Sequence, residues 1–234
     1  MLDDGYTYSV LVVGVRTEIG HGESAIAAFD LFDPTGLRVT DEYETTWKTG
    51  DLHVYERLIT VTSNSYDKLY DATPLVPESD GYILGGEGLS EGHRLDVQLT
   101  ATITNAGKRN NYFTVKVFDG DTDVSYKYRI VRSFGELKIN PIEITVTAGT
   151  MRFTYDGETV FSHNEYTVEG QVLDGHIVVV TIVGELSNIG RTTNHVASVK
   201  IYTDEEIHTS STDVTGNYSI KYVDGMIYVD PPQE

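Results

Sequence analysis

At 234 residues the chain is long enough for one or two domains, and its 39% apolar residues and 16 tyrosines exclude wholesale disorder. Its 36 Asp and Glu against 17 Lys and Arg give a formal charge of -19, and no Lys/Arg cluster offers the basic face that nucleic acid or an anionic membrane would need. The absence of cysteine removes disulfides, thiol catalysis, Cys-ligated zinc and iron–sulfur clusters, and no apolar run approaches the roughly 18 residues of a membrane span.

The chain opens on DDGYTYSVLVVGVRTEIG, where Gly5 and Gly20 lie 15 positions apart and Tyr8, Val10, Val12 and Gly14 share one face of a predicted strand. The same spacing returns between Gly92 and Gly107 around Leu95, Val97, Leu99 and Ala101. It returns again between Gly175 and Gly190 around Val178, Val180, Ile182 and Gly184. The opposite face reads Arg94, Asp96, Gln98, Thr100 in one copy and Ile177, Val179, Thr181, Val183 in the other, so that face is expected to be half-exposed in the first and covered in the second.

Four places after the later glycine of each pair stand Ser24, Asn111 and Asn194. A second strand is predicted beyond them, with Phe113, Val115 and Val117 or Ala197, Val199 and Ile201 facing inward. Tyr43, Tyr128 and Tyr218 then each precede a glycine (Gly50, Gly135, Gly225) by seven positions. Those glycines lead into Leu52/Val54, Leu137/Ile139 and Ile227/Val229 on a last strand.

Two further phrases occur twice. LITVT at Leu58 to Thr62 matches EITVT at Glu143 to Thr147, and LYDATPL at Leu69 to Leu75 matches TYDGETV at Thr154 to Val160. The Tyr-Asp-small phrase reads as a turn after the first strand, in which Asp accepts from its own main chain, the small residue takes a positive φ and the tyrosine ring lies against the sandwich edge. Matching offsets in three places define a tandem array: complete repeats at 57–141 and 142–234, and residues 1–56 as the C-terminal half of a truncated repeat. On this reading the chain is a fragment of a longer repetitive protein. The half-copy then bares apolar positions such as Val10 and Val12.

No window carries a 3.6-residue period, and Thr, Val, Tyr and Ile fill the periodic segments. The expected fold is all-β, with tandem Ig-like β-sandwich modules in an extended array and β-grasp-like modules as the alternative. Boundaries such as HVYERLIT and INPIEIT leave almost no linker, and Pro141 stiffens the second.

The ordered set ITVT, TYDGETV, YTVEG, LDGH, VTIVGELSNIGRTTN and IYV resembles the YDG/MBG-type tandem repeat domains of bacterial cell-surface, adhesin-like proteins. The resemblance covers nearly the whole chain and is strongest in the last copy, where Tyr155-Asp156-Gly157 fits the motif; the preceding copy departs with Ala72 for the glycine. It implies extracellular β-rich modules at a bacterial surface, with signal and anchor outside this fragment. It implies neighbouring repeats as partners, host glycans or glycoproteins as the alternative ligand, and no catalytic, cofactor-binding or metal-binding residue to carry over.

Other candidate sites are read structurally. GLSEG around Ser90 matches G-x-S-x-G, but a nucleophile elbow needs a helix after it, a strand is predicted there, and Leu173 takes the place of Ser90 in the next copy. Asp119, Asp121 and Asp123 alternate in a hairpin tip, where carboxylates could hold calcium but more simply face solvent. The seven histidines are scattered, and His93 and His176 share a repeat position that Tyr6 fills in the first copy, which argues for packing rather than zinc. Asn217-Tyr218-Ser219 is a glycosylation sequon by pattern, and an intramolecular Lys–Asn crosslink would suit a stalk without any pair being identifiable.

Overall fold

The computed structural model describes residues 5–203 and 211–233. Among these the structure is all-β, with three single 3-10 turns at Thr40–Glu42, Ser125–Lys127 and Thr215–Asn217. The strands up to the first turn of the chain's middle are β1 (Thr7–Val13), β2 (Gly20–Phe32), β3 (Gly50–Val54), β4 (Arg57–Ser63), β5 (Tyr66–Leu69), β6 (Tyr82–Gly86) and β7 (His93–Leu99). They continue as β8 (Gly107–Asn110), β9 (Phe113–Asp119), β10 (Thr122–Asp123), β11 (Tyr128–Ser133), β12 (Glu136–Asn140), β13 (Ile142–Ala148) and β14 (Met151–Thr154). The last are β15 (Phe161–Ser162), β16 (Tyr166–Gly170), β17 (His176–Val183), β18 (Glu185–Leu186), β19 (Gly190–Thr203), β20 (Thr212–Asp213), β21 (Tyr218–Val223) and β22 (Gly225–Asp230).

The fold divides into two compact units, one of residues 1–61, 84–96 and 115–132, the other of residues 62–83, 97–114 and 133–234. In the first unit, β1, β2 and β3 form an antiparallel sheet in that order. Sheets β11-β4-β6 and β10-β9-β7 provide the rest of its framework. Tyr8, Val10 and Val12 of β1 are 66%, 42% and 58% exposed, so this apolar face lies bare in the chain as it stands.

The second unit holds sheets β5-β12-β8, β16-β13-β21 and β14-β22-β19-β17, with β20 beside β19. β13 runs antiparallel to β16 and parallel to β21, and after Gly149 the chain changes sheet so that β14 runs parallel to β22. Ile144 and Val146 of β13 meet Val196, Val199 and Ile201 of β19 in one core, capped by Val178, Val180 and Ile182. Two sheets sharing an apolar interior give a sandwich-like arrangement. At roughly 25 cal/mol per Å², each fully buried Val or Ile here contributes about 1.5–3 kcal/mol.

The expected strand faces hold in most places, with two corrections. Leu95, Val97 and Leu99 are half-buried and Ala101 is buried, while Arg94, Gln98 and Thr100 face solvent. In the last copy Ile177 and Val179 are half-buried, but Val183 is 56% exposed. Ala197 is not inward-facing: the register slips between Thr181 and Ile182, pairing Thr181 with Ser198 and Ile182 with Val196, so Ala197 becomes the extra residue of a β-bulge. Ala27 is skipped in the same way between β1 and β2.

Candidate functional site

The Tyr-Asp-small phrase forms a turn of the expected kind twice, but after β5 and β14 rather than after the first strands β4 and β13. Ala72 has φ 63° and Gly157 φ 87°. Asp71 Oδ1 accepts the Thr73 N–H at 2.9 Å, and Asp156 Oδ1 accepts those of Glu158 at 3.0 Å and Thr159 at 2.8 Å. Hydrogen bonds from Lys68 and Thr73 hold the Asp71 carboxyl at a pKa of about 2, and those from Thr159 and Glu158 do the same for Asp156. The tyrosine differs from expectation: Tyr70 is 4% exposed and sits inside the core rather than along an edge.

Within the second unit, Tyr70 meets Tyr218 edge-on at 6.1 Å and His176 at 6.2 Å. Burial raises the Tyr70 pKa, and the adjoining Asn217 amide partly opposes that rise. The Asn217 Oδ1 accepts the Ala106 N–H at 2.6 Å, and its Nδ2 donates to Asn105 Oδ1 at 3.3 Å. At 4% exposure, with both ends of its amide engaged, Asn217 is not positioned to carry a glycan.

Three ring pairs recur along the chain. Tyr6 meets Tyr43 at 6.1 Å, His93 meets Tyr128 at 5.7 Å and His176 meets Tyr218 at 5.8 Å, each edge to face. The Tyr128 hydroxyl accepts the Ser90 N–H at 3.0 Å, as the Tyr218 hydroxyl accepts that of Leu173 at 3.2 Å. Ser90 therefore acts through its main chain, which leucine does equally well, and β7 follows it where an elbow would need a helix.

A second device was not anticipated from the sequence. The hydroxyls of Thr40, Ser125 and Thr215 accept the N–H groups of Leu31, Val117 and Ile201 at 2.8, 2.9 and 2.9 Å. The preceding Val39, Val124 and Val214 are buried and donate back to the same three residues' carbonyls. Its sequence signal is Val-(Ser/Thr)-x-x-Tyr, present as VTDEY, VSYKY and VTGNY.

Asp123 serves this device: it accepts from the Ser125 N–H and hydroxyl and pairs with Lys116 at 3.2 Å, which holds its pKa at about 2. Asp119 instead lies 3.9 Å from His93 Nε2, and Asp121 is exposed at the hairpin tip, so the three carboxylates take separate roles. Asp213 repeats the pattern with Thr215 and Lys200. The acidic counterpart of the tip, residues 204–208, lies outside the described residues.

Asn111 and Asn194 are fully buried and clamp the main chain. Asn111 Nδ2 donates to the Asn64 carbonyl, and Asn194 Nδ2 to those of Gly149 and His163. Gly135 and Gly225 stand beside them because a Cβ there would collide with the carbonyls of Asn64 and Ser63, or of Gly149 and Ala148. Neither buried asparagine is paired with a lysine, and the lysines at 68, 108, 116 and 200 pair with carboxylates.

Among the described residues no three His, Asp or Glu side chains converge to hold a metal ion. Two histidines far apart in sequence do meet: His21 and His53 stand opposite each other in β2 and β3. In the first unit Phe29 also bridges Tyr8, stacked at 6.2 Å, and Trp47, edge-on at 5.2 Å. The fold and these sites define an all-β, sandwich-like protein. Searches among protein-family models, curated proteins and solved structures each found no match to the chain. No helix among the described residues is long and apolar enough to cross a membrane.

Proposed function

We propose that the chain is a non-enzymatic stalk or spacer segment of a bacterial surface, adhesin-like protein, built from tandem β-sandwich repeats at 57–141 and 142–234 behind a half-repeat at 1–56. The observation that carries this reading is the packing of Tyr70, Asn105 and Ala106 against Asn217, Tyr218 and His176. It ties one proposed repeat to the next by buried rings and an amide bonded at both its oxygen and its nitrogen. A spacer needs such joints, because a flexible linker would transmit neither position nor force. The recurrence of the His/Tyr–Tyr pair and of the Val-(Ser/Thr) turn supports three copies of one plan. The charge of -19 would keep such an array soluble.

A single-molecule pulling experiment tests this. Repeats at 57–141 and 142–234 should unfold as separate events, each releasing on the order of 300 Å of chain at about 3.5 Å per residue. Extension without resolved events would remove the mechanical reading.

The Tyr8–Phe29–Trp47 group, with Tyr8 and Trp47 exposed and Phe29 half-buried between them, favours a second reading, a glycan- or mucin-binding module, since aromatic faces suit sugar rings. Tyr8, however, occupies the position that Leu95 and Val178 fill on inward faces, so the group also fits the bared interior of a half-repeat. A glycan array with wild type and Trp47→Ala separates the two: Trp47-dependent binding selects the module.

A further inference from the structure

We propose that His21 and His53 form a cross-strand chelate for a divalent transition-metal ion of the zinc, nickel or copper type, which staples edge strand β3 to β2. The two residues are direct partners in the antiparallel register. Such partners have Cβ atoms about 4.5–5.5 Å apart, close enough for both side chains to reach one point above the sheet. Their ring centroids are 5.5 Å apart with planes 30° from parallel. Two imidazoles on one tetrahedral ion, with metal–nitrogen bonds of about 2.0–2.1 Å, hold their centroids roughly 5.2 Å apart. Both side chains are exposed, so no core residue has to move and an ion can enter from solvent.

The surroundings suit a cation. The next pair along the same strands is Glu23 opposite Asp51, and the two-residue period puts both carboxylates on the histidine face. Like charges directly opposite each other destabilise a strand pair, and a bound dication would relieve that repulsion. Glu56 and Tyr55 border the same hollow, and Tyr55 stacks on His53 at 5.8 Å, which limits how the ring can swing. The neighbouring guanidinium, Arg16, lies over Gly20 and Gly22 and donates to the Ile19 carbonyl. Those glycines alternate with His21, so Arg16 covers the opposite face and leaves this one without its charge.

Imidazole donors select the borderline transition ions over calcium or magnesium, which take oxygen ligands. Two protein nitrogens leave the remaining positions to water, with Glu23 and Asp51 a strand step away to accept hydrogen bonds from it. Because β3 ends the order β1-β2-β3, the ion joins its edge strand to the sheet across a gap of 31 intervening residues in the sequence. Binding to the folded form alone then raises the apparent stability with metal concentration.

The test uses the untagged chain, titrated calorimetrically with zinc and with nickel at pH 7.5, alongside His21→Ala and His53→Ala. One ion per chain should bind to wild type, and each substitution should weaken that site at least tenfold. Glu23→Gln with Asp51→Asn should weaken it severalfold. No heat up to about 1 mM metal, or wild-type affinity retained in either histidine variant, would overturn the proposal. Should a variant fail to fold, substoichiometric copper on wild type decides by NMR: broadening that begins at residues 21 and 53 supports the site, and broadening that begins elsewhere sinks it.

Discussion

The Tyr218 hydroxyl stands 2.7 Å from Nδ1 of His176 while it accepts the Leu173 N–H, which leaves its own proton to be donated to the imidazole when Nδ1 carries none. That arrangement needs a neutral ring with Nδ1 as acceptor. Burial beside Tyr70 and Tyr218 also pushes the His176 pKa below its usual 6.5. A histidine with a lowered folded pKa contributes stability that is fully present above about pH 6.5 and is lost as pH falls through the folded value. Urea midpoints should therefore drop between pH 7 and pH 5. In His176→Gln, which accepts the same hydroxyl without titrating, that drop should shrink, and an unchanged slope would refute the assignment.

A lower window belongs to the turn aspartates. Asp71, Asp123, Asp156 and Asp213 have pKa values of about 2 because hydroxyls, main-chain N–H groups and lysines favour their charged forms. With folded values depressed, their contribution is complete above about pH 4 and disappears as pH falls towards 2. Asp123→Asn and Asp213→Asn should flatten acid unfolding in that range while leaving the slope between pH 5 and 7 unchanged, as followed by tryptophan fluorescence and circular dichroism.

The two Tyr-Asp turns offer a paired backbone experiment. Ala72 holds φ 63° where its counterpart is Gly157 at 87°. A non-glycine residue in this region costs roughly 1–2 kcal/mol, offset by about 0.5–1 kcal/mol of unfolded-state entropy that glycine would add. Ala72→Gly should therefore raise stability by up to about 1 kcal/mol. Gly157→Val should lower it by about 1–3 kcal/mol, and since no atom lies within 4 Å of a Cβ built at Gly157, the loss is backbone strain alone. Equal urea midpoints for wild type and Gly157→Val would contradict this.

How far the sequence carries a reader depends on the range of each interaction. Alternation within one strand is local, so Leu95, Val97 and Leu99 were readable as an inward face. Gly135 and Gly225 were visible as anchors through their fixed distance from Tyr128 and Tyr218, although their reason, a carbonyl of another strand pressed against the α-carbon, was not. The bulge that turns Ala197 outward depends on β17, and the meeting of His21 with His53 depends on β2–β3 register. Neither leaves a mark in the residues themselves. Tyr70 shows the same limit: its turn was local and legible, while its burial against Tyr218 comes from 148 positions away.

That long-range contact is testable by a double-mutant cycle. Tyr70→Ala removes a buried ring and should cost about 3–5 kcal/mol. Asn217→Ala strands the Ala106 N–H, for about 1–3 kcal/mol. Because the two residues adjoin in one buried cluster, the pair should deviate from additivity by about 0.5–3 kcal/mol. Strict additivity would mean that they act independently.

Asn194 gives the sharpest change from a single atom. Its Nδ2 donates to the Gly149 and His163 carbonyls in a fully buried site, and its Oδ1 has no protein partner. Asn194→Asp replaces that donor with an oxygen aimed at two carbonyls. At neutral pH the variant must bury a charge against them or take up a proton, and the loss should be about 3 kcal/mol or more. The aspartate's folded pKa is thereby raised above its unfolded value, so the variant recovers stability as pH falls through the folded value. At pH 4 a protonated carboxyl can again donate to one carbonyl, and the deficit relative to wild type should be smaller than at pH 7. Asn111→Asp should behave alike but more mildly, since Asn111 donates to one carbonyl, that of Asn64. A deficit that grew on acidification would show that the clamp does not depend on the Nδ2 hydrogens.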